Sequence, residues 1–417
     1  MSREDTRRLT LVEYQTCTRV VLSQAERDAL AEKLPGLSIS PSRGAAPGTY
    51  DLTPSSWVGV LQLDGLAVEI LPKLPIRHVL FLATYGDAKT AWMESGAELV
   101  EAPTVLESLG RLFTHHLHVA MSRGVLRGYR TEEATLSGIR GRLRLEDQIR
   151  ARAGRFPPVE VRFDEFTDDI LENRLLKGAA MRLMHLGAPM RSMLQGLLPA
   201  FSSVETVSFI PNHVPAVTYT RLNAHYRSAV ELARLILRLS SVDLRHGSIS
   251  AASLLLDMNQ VFEDFVVVAL RAALGLTART FPQGCVGKPL FLDSPGLLAL
   301  RPDISWWDGR RCVFVGDVKY KRTVGGEHAD LYQLLAYATA ANVPGGLLIY
   351  ADGEAEPVSH TVMHAGKALH VITLDLRGTP EEVLEQIGHV AKRVHYLRGE
   401  ATGLASVPFE AVRPSSY

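Results

Sequence analysis

The sequence predicts a C-terminal α/β domain, preceded by a β-rich module and a mainly helical middle region. Three observations carry this reading. From about residue 276 the pattern runs strand, hairpin, helix, strand, strand, helix, the alternation typical of an α/β domain. Residues 168–186, 221–239 and 257–274 place apolar side chains at three- and four-residue spacing, as amphipathic helices do. The first 75 residues carry β-branched runs and a hairpin signature. The corresponding boundaries are 1–115, 116–250 and 251–417.

Composition narrows the class. The chain has 417 residues, 46% apolar and 22% charged, with 45 basic and 45 acidic side chains. That is room for two or three globular domains, and a zero net charge leaves no global field for nucleic acid. Cys17, Cys285 and Cys312 form no CxxC, so neither a zinc knuckle nor a disulfide framework is indicated. The opening MSREDTRRLTLVEYQ has no apolar run behind its charges, and no stretch approaches the roughly 20 apolar residues of a membrane helix. A cytoplasmic protein without a membrane segment is expected.

The elements follow in order. Residues 10–22 read as strand. Ser23-Gln-Ala-Glu26 has the form of a capping box, in which Ser and Glu each satisfy a free backbone N–H, and opens a helix to about residue 34. Pro and Gly make 35–48 a loop. SWVGVLQLDGLAVEILPKLP is a hairpin that turns at Asp64-Gly65 and stops at Pro72. Residues 76–125 read as helical. Residues 123–162 are rich in arginine, and GIRGRLRLED sets Arg140, Arg142 and Arg144 at alternate positions. On a strand these three would share one face. They would then contact phosphates, meet an acidic partner surface, or form a solvated face. In the last domain HADLYQLLAYATAAN is a helix, GGLLIYA and ALHVITLDL are strands, and PEEVLEQIGHVAKRVHYL is a closing helix with Pro380 in its first turn.

The chemistry concentrates in RPDISWWDGRRCVFVGDVKYK. An apolar hairpin that carries Asp303, Asp317 and Lys319 must either pair these charges or hold something with them, because an unpaired buried ion is costly. Asp317 and Lys319 are two apart and share a face. A two-residue Asp308-Gly309 turn would put Asp303 opposite Phe314, on the other face. A three-residue loop with Gly309 left-handed would pair Asp303 with Val313 and bring it to the face of Asp317 and Lys319. The second arrangement is expected. Two carboxylates, with the Val318 carbonyl between the side chains, suit Mg²⁺, a hard ion that prefers oxygen. Lys319 would then orient water or stabilise charge at phosphorus in phosphodiester hydrolysis. A plain Lys–Asp salt bridge on a solvated strand explains the same spacing equally well. No G-x-x-x-x-G-K-[ST] occurs. GCVGKPL has Pro289 at the Ser/Thr position, so nucleotide hydrolysis by this chain is not expected.

Pro302-Asp303 followed by Asp317-x-Lys319 resembles the PD-(D/E)xK nuclease superfamily. LVEYQ, VGVLQLDGLAVEILPKL, GIRGRLRL, FDEFTDDILENRLLKGA, RLNAHYRSAVELARLIL and DMNQVFEDFV make most of the chain resemble the McrC family, the nuclease subunit of modified-cytosine restriction systems. The resemblance implies a C-terminal domain that cleaves double-stranded DNA bearing modified cytosine, with Mg²⁺ or Mn²⁺. It implies that Glu263 supplies a further acid to the metal site, and that Gln333 and Tyr337 flank the site as a Q-x-x-x-Y pair. It also implies that the N-terminal part docks on a hexameric AAA+ GTPase of McrB type and stimulates it. A double-strand cut would favour dimerisation through the nuclease domain. The alternative is a regulatory adaptor of the motor whose nuclease fold is inert.

Overall fold

A computed structural model describes residues 6–86, 103–243, 251–284, 288–321, 327–351 and 357–402. The part of the expected helical stretch at 87–102 lies outside the described residues, as does Cys285. Among the described residues no helix is long and apolar enough to cross a membrane.

The N-terminal region is β-rich, as expected. Helix Gln24–Lys33 starts on the capping box: Glu26 N–H donates to Ser23 Oγ at 3.2 Å, and Ser23 N–H to Glu26 Oε2 at 2.8 Å. The hairpin Trp57–Leu63/Leu66–Leu71 turns at Asp64-Gly65 and ends before Pro72. Ser38–Pro41, expected as loop, is instead an edge strand on Thr49–Thr53, with Pro41 last, where a missing N–H costs least.

The hairpin belongs to a five-stranded sheet in the order Arg7–Val12, Leu66–Leu71, Trp57–Leu63, Ala251–Asp257, Ser240–Asp243. Two of these strands come from beyond residue 115: Ala251–Asp257 completes the N-terminal sheet before the chain enters helix Met258–Ala273. Its apolar run Ala251–Leu256 is buried throughout, which suits a central strand and not the start of a helical domain.

The middle region holds helices Val105–Met121, Leu171–His185 and Arg227–Leu239, whose apolar faces join one core with helix Met258–Ala273. Between the first two runs a long antiparallel ribbon, Gly128–Leu136 against Val159–Thr167. The expected face of three arginines on one strand is not formed. Only Arg142–Leu143 is strand, because Gly141 takes φ +73° just before it and Arg144 caps helix Leu145–Arg152. Arg144 lies 3.0 Å from Glu133 and 2.6 Å from Asp147. Arg140 stands 3.6 Å from Glu165 and 4.0 Å over the Phe163 ring. Arg142 is exposed and has no ion pair among the described residues.

The C-terminal part is a five-stranded mixed sheet in the order Ile304–Asp308, Arg311–Lys319, Gly345–Ala351, Lys367–Leu374, Val358–Val362. Helix His328–Ala340 crosses over between the two parallel strands Arg311–Lys319 and Gly345–Ala351 and packs Leu334 on Leu348, Tyr350, Leu369 and Val371. Helices Met258–Ala273 and Pro380–Thr402 cover the other face, where Phe314, Val318, Leu347 and Ile349 enter the main core. Gly345 is required by close packing: a Cβ there would sit 1.9 Å from the Ala368 carbonyl oxygen, in the backbone of the adjoining strand. Gly345→Ala is therefore expected to destabilise the chain by about 1–3 kcal/mol or more, read as a lower midpoint in thermal unfolding.

Candidate active site

The hairpin's register brings the acids together by a route other than the expected loop. Trp307 pairs with Cys312 and Asp308 with Arg311, so the turn is the two residues Gly309-Arg310, with Gly309 at φ +58°. The extra residue is Val313, bulged between the Trp306–Phe314 and Trp307–Cys312 pairs. Beyond the bulge Ile304 faces Gly316. Asp303, one residue before the strand, thus meets Asp317 and not Val313. A bulge and an odd loop shift the ladder by the same single residue, which is why the face was right and the partner wrong.

Asp317 and Lys319 align with Leu348 and Tyr350 of the parallel neighbour, and so point to the face covered by helix His328–Ala340. Asp303 Oδ2 accepts a hydrogen bond from Val318 N–H at 2.9 Å, where the antiparallel ladder has ended. Asp317 is 1% exposed. Lys319 Nζ lies 2.5 Å from Asp317 Oδ2, an ion pair, while Asp317 Oδ1 accepts no hydrogen bond among the described residues. Burial first, and then the Asp317 charge beside it, push the Asp303 carboxyl up to about 8. Burial works against the Lys319 ammonium, but Asp317 outweighs it and holds the lysine above its ordinary value.

A buried carboxylate oxygen without a donor is uncommon and calls for an explanation. Two carboxylates facing each other, with free lone pairs on the deeper one, form a hard oxygen donor set of the kind Mg²⁺ or Mn²⁺ takes. These residues fit such an ion. Among the described residues no three His, Cys, Asp or Glu side chains are grouped closely enough to hold a metal by themselves.

The other expected residues stand around this pair without joining it. Glu263 is half-buried on helix Met258–Ala273, which packs on the opposite face of the sheet. Burial, then the charges of Asp264 and Asp317, raise its pKa, so it senses the pair without joining a three-acid group. Tyr337 is buried, and its hydroxyl donates to the Arg301 carbonyl at 3.2 Å, which holds the segment leading into Asp303. Gln333 is exposed, and its side chain makes no hydrogen bond among the described residues.

One neighbouring group was missed from the sequence. Lys321 Nζ lies 2.9 Å from Asp330 Oδ2 and 2.6 Å from Glu327, and Tyr350 donates to Asp330 at 2.5 Å. Asp330 is buried in the first turn of helix His328–Ala340. The alternation Lys319-x-Lys321 was the available signal, but the helix start that meets it could be placed only by the fold.

Fold and site define a mixed α/β protein with an acid pair and a lysine at the end of a buried strand. The model of the family described as McrBC 5-methylcytosine restriction system component matches residues 52–351, and the chain belongs to that family. The type IV methyl-directed restriction enzyme EcoKMcrBC of Escherichia coli (strain K12) is 22% identical over 174 residues, which is 40% of this chain and 49% of that protein, so the chain spans about half the length of this relative. A chain of the refined half-complex from the tetradecameric assembly of Thermococcus gammatolerans McrB AAA+ hexamers with bound McrC superposes with a TM-score of 0.55 at 18% identity, covering 93% of this chain and all of that one. That likeness is one of fold.

Proposed function

We propose that this chain is the DNA-cleaving subunit of a McrBC-type restriction system, with a PD-(D/E)xK nuclease domain at its C-terminal end. The observation that carries this reading is the Asp303–Asp317 pair with Lys319, in which Asp317 is buried, its Oδ2 is met by the Lys319 ammonium and its Oδ1 has no hydrogen bond among the described residues. Asp303 and Asp317 would hold Mg²⁺, with Mn²⁺ as a substitute. The Val318 carbonyl is a further donor, since in extended chain it leaves the strand on the same edge as the N–H that meets Asp303. When bound, the ion supplies the charge that polarises a phosphodiester and activates water. Lys319, held charged beside Asp317, stabilises the negative charge that develops on phosphorus. Glu263 adds negative charge near the pair from the opposite helix. Gln333 lies on the open surface of the helix after the hairpin, where DNA can reach it. Tyr337 keeps Asp303 in place through Arg301.

The substrate is double-stranded DNA with modified cytosine, and the partner is a McrB-like hexameric AAA+ GTPase docked through the N-terminal module. Arg142, exposed and unpaired among the described residues, is a contact to DNA or partner; Arg140 and Arg144 are engaged by acids of the chain itself. A cytoplasmic complex that pairs two nuclease domains for a double-strand cut completes the reading.

The test is cleavage of modified supercoiled plasmid by the full chain with its GTPase partner, GTP and Mg²⁺. Lys319→Ala is expected to slow cleavage about 10²–10³-fold, the usual cost of losing one transition-state charge contact. Cleavage by this variant at the wild-type rate would remove the lysine's role. GTPase stimulation with no cutting under any condition would favour the adaptor reading.

A further inference from the structure

The N-terminal β unit reaches the candidate active site through one buried acid. Glu13, from LVEYQ, follows strand Arg7–Val12 and is 0% exposed. Its Oε2 accepts from the Lys73 N–H at 3.2 Å and from the Tyr320 hydroxyl at 3.5 Å, 307 residues further along the chain. Its Oε1 has no partner among the described residues. Burial, outweighing the Lys73 N–H and charge, pushes this carboxyl up to about 7. A buried acid this poorly satisfied is costly to keep for packing alone.

Tyr320 directly follows Lys319. Side chains alternate along a strand, so Tyr320 points away from Asp317 and Lys319 and into the core shared with Val318 and Phe262, whose ring lies 6.0 Å from its own. The hydroxyl therefore meets Glu13 on the reverse face of the strand that carries Asp317 and Lys319, beyond the last pair with the Ile304–Asp308 strand. A second set of bonds attaches the helix that carries Glu263. Ser56 Oγ donates to Asp257 Oδ1 at 2.7 Å, Asn259 Nδ2 donates to Ser56 Oγ at 2.8 Å, and Met258 N–H donates to the Ser56 carbonyl at 2.9 Å. Strand and helix are thus both tied to the N-terminal unit, on residues 13 and 56.

We infer that Glu13 is a positioning residue of the nuclease centre, which sets the end of the Asp317–Lys319 strand through the Tyr320 hydroxyl. This rests on the nuclease reading above. It makes the N-terminal unit part of the active-site frame as well as a docking module, so movement imposed on that unit by a partner is delivered to the strand that holds the acids.

The experiment uses the full chain with its GTPase partner, GTP and modified supercoiled plasmid, titrated with Mg²⁺. Tyr320→Phe keeps the ring and removes the donor, and Glu13→Ala removes the acceptor. Each is expected to raise the Mg²⁺ concentration for half-maximal cleavage roughly tenfold, the scale on which residues behind metal ligands act. The Mg²⁺-induced rise in melting temperature of the chain alone shifts to the same higher concentration. The double variant is no worse than the poorer single one, since both remove the same bond. Glu13→Gln, which keeps an acceptor oxygen, restores most of the loss. Co-elution with the partner persists in all of them. An unchanged Mg²⁺ dependence in Tyr320→Phe would overturn the inference, as would loss of cleavage in step with loss of co-elution. Asp317→Asn run in parallel separates the two levels. If it is inactive while Tyr320→Phe is normal, only the positioning role falls. If it cleaves normally, the nuclease assignment falls and takes this inference with it.

Discussion

Asp317→Asn is expected to lower plasmid cleavage about a thousandfold, with GTPase stimulation of the partner unchanged. The figure corresponds to roughly 4 kcal/mol of transition-state stabilisation, within what a bound cation contributes. The reason lies in how Asp317 is held. It is buried, its Oδ1 accepts no hydrogen bond among the described residues, and the cation that meets its Oδ2, Lys319, is itself assigned to the reaction. An amide of the same shape keeps the packing but removes the charge that binds the ion. Mg²⁺ titration calorimetry should show binding lost together with cleavage. Retained binding with retained cleavage would place the metal elsewhere.

Asp303→Asn is expected to separate stability from activity. The Asp303 carboxyl has its pKa raised on folding, so at neutral pH the native chain holds a proton that the unfolded chain has released. Stability contributed at this site therefore falls as pH rises from the ordinary carboxylate range near 4 toward 8, the reverse of the usual Asp case. Asn removes that dependence. Its carbonyl can still accept from Val318 N–H, and its NH₂ can donate toward Asp317 Oδ1. The variant should melt several degrees higher than wild type at pH 7 to 8, at roughly 2–4 °C per kcal/mol, and the gap should close near pH 4. Cleavage should be lost, and Mg²⁺ should stabilise wild type but not the variant. A variant that melts lower than wild type at pH 8 would show that the pair is not strained in the way the burial implies. Mg²⁺ affinity of the wild-type chain should also rise with pH toward 8, because the ion competes with the Asp303 proton.

Local chemistry was readable wherever neighbours in sequence sufficed. The Ser23/Glu26 capping box, the Asp64-Gly65 hairpin turn, the left-handed Gly309 and the helix–strand–helix succession after residue 327 all depend on contacts within a few residues, and all are present. Period-two alternation also put Asp317 and Lys319 on one face without reference to the rest of the chain. The edge strand Val358–Val362 was not read, since its short polar run acquires strand character only by pairing with Lys367–Leu374.

What the chain's order of residues settled, then, was which charged side chains share a face of the hairpin and which elements present them, because propensity, turn geometry and spacing act over a few residues. Three things waited for the assembled fold. The bulge at Val313 set Asp303 opposite Asp317, since a one-residue ladder shift is decided by packing on both sheet faces. Strand Ala251–Asp257 joined the N-terminal sheet because only there is its apolar run covered on both sides. Glu13 met Tyr320 across 307 residues, and no local rule can foresee a contact created by the docking of separate cores.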